Sequence, residues 1–410
     1  MIYNTIFLII VTIVAADFLL ERYLDYLNTR KWSSELPEEL RDVYDAEQYK
    51  KQQEYKRVND RFSMITSSFS FVLIMLMLFL GGFSLVDGWA RDITQNAILL
   101  VLVFFGILAL VSDIITTPFS LYDIFVIEEK FGFNKTTPKT YILDKLKGWL
   151  LGALIGGGLL ALVVWFYQLT TSLFWLYAWM LAAFFTIFMA MFYSSIIVPL
   201  FNKQTPLEEG ALRDAISTFS EKAGFRLNNI YVIDGSKRST KANAYFTGLG
   251  PKKRIVLYDT LIQELSPREI VAVLAHEIGH YKKKHTLLGI LTGIAQTGIT
   301  LFIFSLLVAN PALSAALGGH GASFHLGLIS FGILYSPVSL ITGLLMNHIS
   351  RRNEYAADRF VKENYEAVAL IDALKKLSSK NLSNLTPHPA YVFFHFSHPT
   401  LLQRIKALKK

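Results

Sequence analysis

The sequence predicts an α-helical integral membrane protein carrying one small polar α/β unit. Three observations lead there. Of 410 residues 52% are hydrophobic and 18% charged, whereas soluble domains carry about 25% charged residues. Long stretches contain no Asp, Glu, Lys or Arg. The basic residues fall almost entirely on one side of the spans those stretches define. Cysteine is absent, which removes disulfides, thiolate metal ligands and cysteine nucleophiles together.

A membrane helix needs about 20 mostly apolar residues. Residues 1–16 are charge-free and stay apolar to Leu20; they lack a basic leader and end at Ala15-Ala16-Asp17, so they read as an uncleaved first helix. Residues 63–86 and 96–112 are charge-free, the latter run continuing past Asp113 to Ile115. Residues 149–202 are too long for one helix and break at Gln168-Leu169-Thr170-Thr171-Ser172. Residues 286–350 are divided by the Gly- and Pro-containing stretch 310–322. The expected count is seven spans.

Seven spans put the chain ends on opposite sides. Residues 21–62, 124–148, 203–284 and 351–410 hold 39 of the 40 Lys and Arg, leaving only Arg91 on the other side. The positive-inside rule then places the N-terminus outside and the large polar segments in the cytosol. The net charge of +8 is thus a topology signal, and no nucleic-acid partner is expected. The host membrane would be the inner membrane in a bacterium or the endoplasmic reticulum in a eukaryote.

The expected division is 1–202 for five spans and their connectors, 203–285 for a polar domain, 286–350 for two further spans and 351–410 for a C-terminal segment. Residues 21–62 read as a helical connector. In the polar domain, Leu212–Ala223 has helical periodicity. Residues 229–234 and 254–258 read as strands, with another around Asn243-Ala244-Tyr245-Phe246 and a turn at 248–251. Ser266-Pro267-Arg268-Glu269 is a capping box that opens a helix running to about Tyr281.

That helix carries His276-Glu277-Ile278-Gly279-His280, an HExxH motif. Positions i and i+4 share a helix face, so two imidazoles can grip one Zn²⁺ at about 2.0–2.1 Å each. Glu277 beside them can take a proton from a metal-bound water. A catalytic zinc site needs a third protein ligand. The best candidate is Glu354 in Asn353-Glu354-Tyr355-Ala356-Ala357-Asp358, which topology returns to the same side. Asp358, one turn on, suits a carboxylate that orients a ligating histidine; a solvated helix face is the alternative. Near the C-terminus, Ser397-His398-Pro399 places a histidine at a helix mouth, where it can stabilise an oxyanion. Arg404 can pair with Asp358. His388 and His395 are rivals of His398. Asp17 and Asp113, within or at the edge of spans, are costly there and read either as structurally paired or as functional. Lys282-Lys283-Lys284-His285 reads as an interfacial anchor.

These motifs resemble the type I CAAX prenyl proteases, integral-membrane zinc metalloendopeptidases of the a-factor-converting type. The resemblance also includes Pro199-Leu200-Phe201-Asn202-Lys203 and Thr205-Pro206-Leu207, and it runs over essentially the whole chain. It implies seven helices around a water-filled intramembrane chamber, closed by a cytosolic gluzincin-like domain. It implies one Zn²⁺ per chain on His276, His280 and Glu354, with Glu277 as base. Asp358 and Arg404 would support the site, and His398 would stabilise the transition state. Asn243, Ala244 and Tyr245 would pair with the extended substrate. The expected substrates are peptides or proteins, prenylated or not, held at the bilayer; the sequence leaves the oligomeric state open. The rivals are a quality-control protease of membrane proteins and a non-catalytic metal-binding or transport protein.

Overall fold

The computed structural model describes residues 4–31, 36–170, 172–224, 230–247 and 254–410. Most of the chain is helical, as hydrocarbon demands, because each backbone N–H and C=O must find a partner within its own segment. Helix α1 (Thr5–Arg30) begins where the Asn4 side chain accepts the Phe7 N–H. Helix α2 (Ala46–Phe79) is capped by Asp45 and passes from the charge-dense connector into a span without a break. The chain then turns at Gly81, whose φ of 71° suits a residue without Cβ, into α3 (Gly82–Ile93). The expected span 63–86 therefore ends near Phe79. Residues 82–86 start a separate helix that buries Phe83, Val86 and Ala90 on one face.

Helix α4 (Ala97–Tyr122) continues through a π turn at 123–128. Helix α5 (Pro138–Leu151), a second π turn at 152–157 and α6 (Gly158–Thr170) form another continuous rod. Helices α7 (Phe174–Ile196) and α8 (Val198–Phe201) follow the expected polar break, of which Thr171 lies outside the described residues.

Beyond α8 the α/β unit begins. Strand β1 (Gln204–Pro206), absent from the sequence reading, precedes α9 (Ala211–Lys222). Then come β2 (Ile230–Ile233), β3 (Ala244–Thr247) and β4 (Arg254–Tyr258). Asn229 and the turn expected at 248–251 lie outside the described residues. The sheet order is β1-β2-β4-β3, with β2 parallel to β4 and β3 antiparallel to it. Helix α10 (Asp259–Glu264) leads to α11 (Pro267–Lys282), which opens with the full Ser266–Glu269 capping box.

Helix α12 (His285–Leu307) returns to the membrane, and the stretch after it holds α13 (Pro311–Ala316). Helix α14 (Phe324–Asn364) has 41 residues, about 60 Å of continuous helix. It joins the last span to the Glu354 segment as one body. Helices α15 (Ala367–Lys380), α16 (Pro389–His395) and α17 (Leu401–Lys409) complete the chain.

Among the described residues, six helical rods are long and apolar enough to cross a membrane. The expected count was seven; α1, its first member, does not qualify. Asp17, Glu21 and Arg22 interrupt its apolar face midway, although 26 residues give about 39 Å of helix. The rods bury little of themselves. Only 6% of the most apolar stretch of α2, of the α5–α6 rod and of the α7–α8 rod is inside the protein. A tight bundle would bury one stripe of each helix; a ring leaves both faces open. The polar domain is packed differently. Ile255, Leu257, Ile270, Ala272, Ala275 and Ile278 share one core with Val361, Ala369 and Ile405. Asp17 accepts a hydrogen bond from Ser336 at 2.9 Å, and Asp113 pairs with Lys145 at 2.9 Å. Both membrane-depth carboxylates thus have structural partners.

Candidate active site

Helix α11 lies at the centre of the polar domain with His276 and Ala275 buried and Glu277 and His280 half-buried. Its capping box fixes where the helix starts and hence which face carries the motif. Gly279 lets α14 come close: a Cβ there would lie 3.1 Å from Phe360 Cβ and 3.2 Å from Ala357 Cα. That approach brings Glu354 onto the two histidines.

The Nε2 atoms of His276 and His280 are 3.1 Å apart. Glu354 Oε2 is 3.3 Å from His276 Nε2, and Oε1 is 3.2 Å from His280 Nε2. A tetrahedral ion bound at about 2.0–2.1 Å separates its ligand atoms by about 3.3 Å; Glu354 reaches the two histidines through different oxygens, and one ligand atom from each of the three residues lies within 4.8 Å of the others, close enough to hold one metal ion. The group meets a second test. Glu354 is 4% exposed, and its Oε2 atom is buried without a hydrogen bond. An orphaned buried carboxylate oxygen is costly, and a cation would satisfy it. Burial opposes protonation of His276, but Asp358 and Glu354 outweigh it and raise its pKa. The pocket therefore attracts positive charge, whether proton or metal.

The carboxylate of Asp358, 1% exposed, has its Oδ1 2.9 Å from His276 Nδ1. Arg404 donates to both oxygens of Asp358, at 2.9 Å from Nε and 2.6 Å from Nη2. The network leaves the buried guanidinium paired, as it must be. His398 Nε2 sits 3.3 Å from Glu354 Oε1 while its side chain remains 62% exposed. Its rivals lie elsewhere: His388 caps α16, and His395 faces Glu21 at 3.4 Å. Helix α17 begins at Leu401 with Thr400 as its cap, so Pro399 does not start a helix and His398 lies on the loop before it.

A cavity of about 440 Å³ opens over the group, lined by His276, Glu277, His280, Glu354, His398 and Arg404 together with Asn243, Ala244 and Phe246. Strand β3 is at the sheet edge, paired on one side with β4. Its alternation turns Ala244 and Phe246 to the cavity; Tyr245 faces away, its hydroxyl 3.5 Å from Ser194 Oγ. Sequence reading passed over Gly279, Asn347 and Arg351. Asn347 donates to the Phe394 carbonyl at 2.9 Å and Arg351 to the Phe396 carbonyl at 2.6 Å, so both hold the strand of chain before His398. Their signal is the helical spacing 347, 351, 354, 358, a polar stripe on one face of α14.

Two family models match the chain. One, described as CAAX prenyl protease N-terminal, five membrane helices, covers residues 25–203. The other, peptidase family M48, covers residues 206–410. The chain is 36% identical to CAAX prenyl protease 1 of Saccharomyces cerevisiae, over 96% of this chain and 93% of that protein. It is 32% identical to the CAAX prenyl protease 1 homolog of Homo sapiens, over 92% of this chain and 90% of that one. The crystal structure of S. mikatae Ste24p superposes with a TM-score of 0.94 at 34% identity, over 100% of both chains.

Proposed function

The chain belongs to peptidase family M48, and from that premise we propose that it is a zinc-dependent endopeptidase that cuts prenylated CAAX-type proteins near their C-termini. The single observation that carries the reading is the triangle of His276, His280 and Glu354 beside Glu277, inside a cavity edged by β3. Relatives named CAAX prenyl protease 1 align over nearly the full length, which supports the substrate class.

His276, His280 and Glu354 would hold the zinc. When bound it would polarise the scissile carbonyl and acidify a water. Glu277 takes the proton of the attacking water and delivers it to the leaving amine. Asp358 fixes the tautomer and orientation of His276, and Arg404 keeps Asp358 in place. His398, exposed toward the cavity, donates a hydrogen bond where negative charge develops. Strand β3, with Asn243 just before it, has no strand on its outer side among the described residues, and there it would extend the sheet with the substrate backbone, which presents the scissile bond in an extended form. Tyr245 would act through its packing on the other face of β3. The basic asymmetry around the spans supports a cytosolic position for this domain, where prenylated tails meet the bilayer.

The test compares wild type with Glu277→Gln. Both should retain one zinc per chain; only the wild type should cleave a fluorogenic prenylated peptide. Equal cleavage by both proteins removes the mechanism. Cleavage of an unmodified peptide alone points instead to quality control of membrane proteins, and bound zinc with no cleavage of either points to a non-catalytic metal protein.

A further inference from the structure

His285 is the first residue of α12, and its ring folds back on the metal group. Its Nδ1 is 3.0 Å from Nδ1 of His280, with ring centroids 5.1 Å apart and planes at 72°. The turn that allows this is unusual. Lys284, between α11 and α12, has φ 59° and ψ 24°, the left-handed region that a residue with a Cβ enters at a cost of roughly 1–2 kcal/mol. Such strain persists where the surroundings demand it.

The chemistry of a ligating histidine gives the contact a purpose. An imidazole that binds a metal through one nitrogen carries its proton on the other and needs an acceptor there. For His276 the acceptor is Asp358. His280 turns Nε2 toward His276 and Glu354, so its Nδ1 carries the proton, and the ring nitrogen facing it belongs to His285. We infer that His285 is a positioning residue of the metal centre: its Nδ1 accepts the Nδ1–H of His280 and fixes that ring for metal binding. His285 then keeps its own proton on Nε2. The contact ties the metal site to a membrane span through one side chain. It also gives the basic stretch 282–285 a role beyond interfacial anchoring.

This inference rests on the zinc reading above. Its test uses the full-length protein in detergent and measures zinc affinity by competition with a chromogenic chelator. His285→Phe keeps a ring without an acceptor. His285→Asn places an oxygen close to where Nδ1 stood, and His285→Leu has nearly the same shape as Asn without the acceptor. Affinity should fall about 10–100-fold in the Phe and Leu variants and stay within a few-fold of wild type in the Asn variant. The melting temperature of the metal-stripped forms should not separate Asn from Leu. Wild-type affinity in the Leu variant overturns the inference, as does a loss in Asn equal to that in Leu. If the Phe ring prevents folding, the Asn–Leu pair still decides. A wild type that binds no zinc defeats the proposed function itself, and this inference with it.

Discussion

His276 Nδ1 and Asp358 Oδ1 lie 2.9 Å apart, although 82 positions separate them in the chain. The pair is closed off by Arg404, which contacts both oxygens of Asp358. Asp358→Ala should lower metal affinity and activity together by about 10–100-fold, because His276 loses the group that fixes its tautomer. It also strands a buried guanidinium, at a cost of about 3–5 kcal/mol. The double variant Asp358→Ala/Arg404→Met should recover much of the stability and none of the activity, as read by thermal unfolding and peptide cleavage.

Gly279 leaves no room for a side chain between α11 and α14, since a Cβ there would lie 3.1 Å from Phe360 Cβ and 3.2 Å from Ala357 Cα. Gly279→Val should push α14 off the motif helix. Overpacking of this kind costs about 1–3 kcal/mol. A displacement of the ligand carboxylate by about 1 Å can cost about 100-fold in rate. Zinc affinity and kcat should both fall, and enlarging the space by Phe360→Ala should restore part of each.

Arg351 anchors the carbonyl of Phe396, two residues before His398. Arg351→Met should loosen the loop that presents His398 without touching the three ligands. The expected outcome is a fall in kcat, about tenfold or more, the scale on which a transition-state donor acts, with zinc affinity unchanged. His398→Ala should show the same division, and the double variant should be no worse than the poorer single one.

Removing the metal should cost stability as well as activity. Glu354 Oε2 has no hydrogen bond of its own, so the stripped protein keeps a buried unsatisfied oxygen. Zinc at 1,000 times its dissociation constant should stabilise the fold by about 4 kcal/mol. Calorimetry should show a melting temperature that rises with free zinc. Glu354→Gln should bind zinc weakly and melt at nearly the same temperature with or without it.

Glu269 offers a pH test away from the metal. Burial alone would raise its pKa, but Lys376 and the Ser266 cap outweigh that and hold it below the ordinary carboxylate value. A lowered folded-state pKa gives stability that is complete above the unfolded value, about 4.3, and lost as pH falls through the folded value. Glu269→Gln keeps the capping box but loses the pair with the half-exposed Lys376, so it should be less stable than wild type at pH 7 by about 0.5 kcal/mol. The gap should close as the pH drops below about 4.

The legible parts of the sequence were those with local causes. The capping box at Ser266–Glu269 marked the start of α11 to the residue, since its partners are three positions apart. The charge-free runs after residue 62 located the six membrane-length rods, because the cost of charge in hydrocarbon acts on each residue separately. Local rules also erred locally. Residues 82–86 look like a continued span but follow the Gly81 turn as a separate helix. The three-residue β1 was too short to carry a pattern; only its pairing with β2 makes it a strand.

The sequence by itself determined a multi-pass membrane protein and a helix bearing two imidazoles and a carboxylate, because periodicity and apolar length are properties of neighbours in the chain. Only the tertiary structure decided which histidine reaches Glu354, that Tyr245 turns away from the cavity, and that His285 meets the far side of His280. Those outcomes depend on how α11, α14 and the turn at Lys284 pack together. Packing is a sum over residues distant in sequence, and no local pattern encodes it.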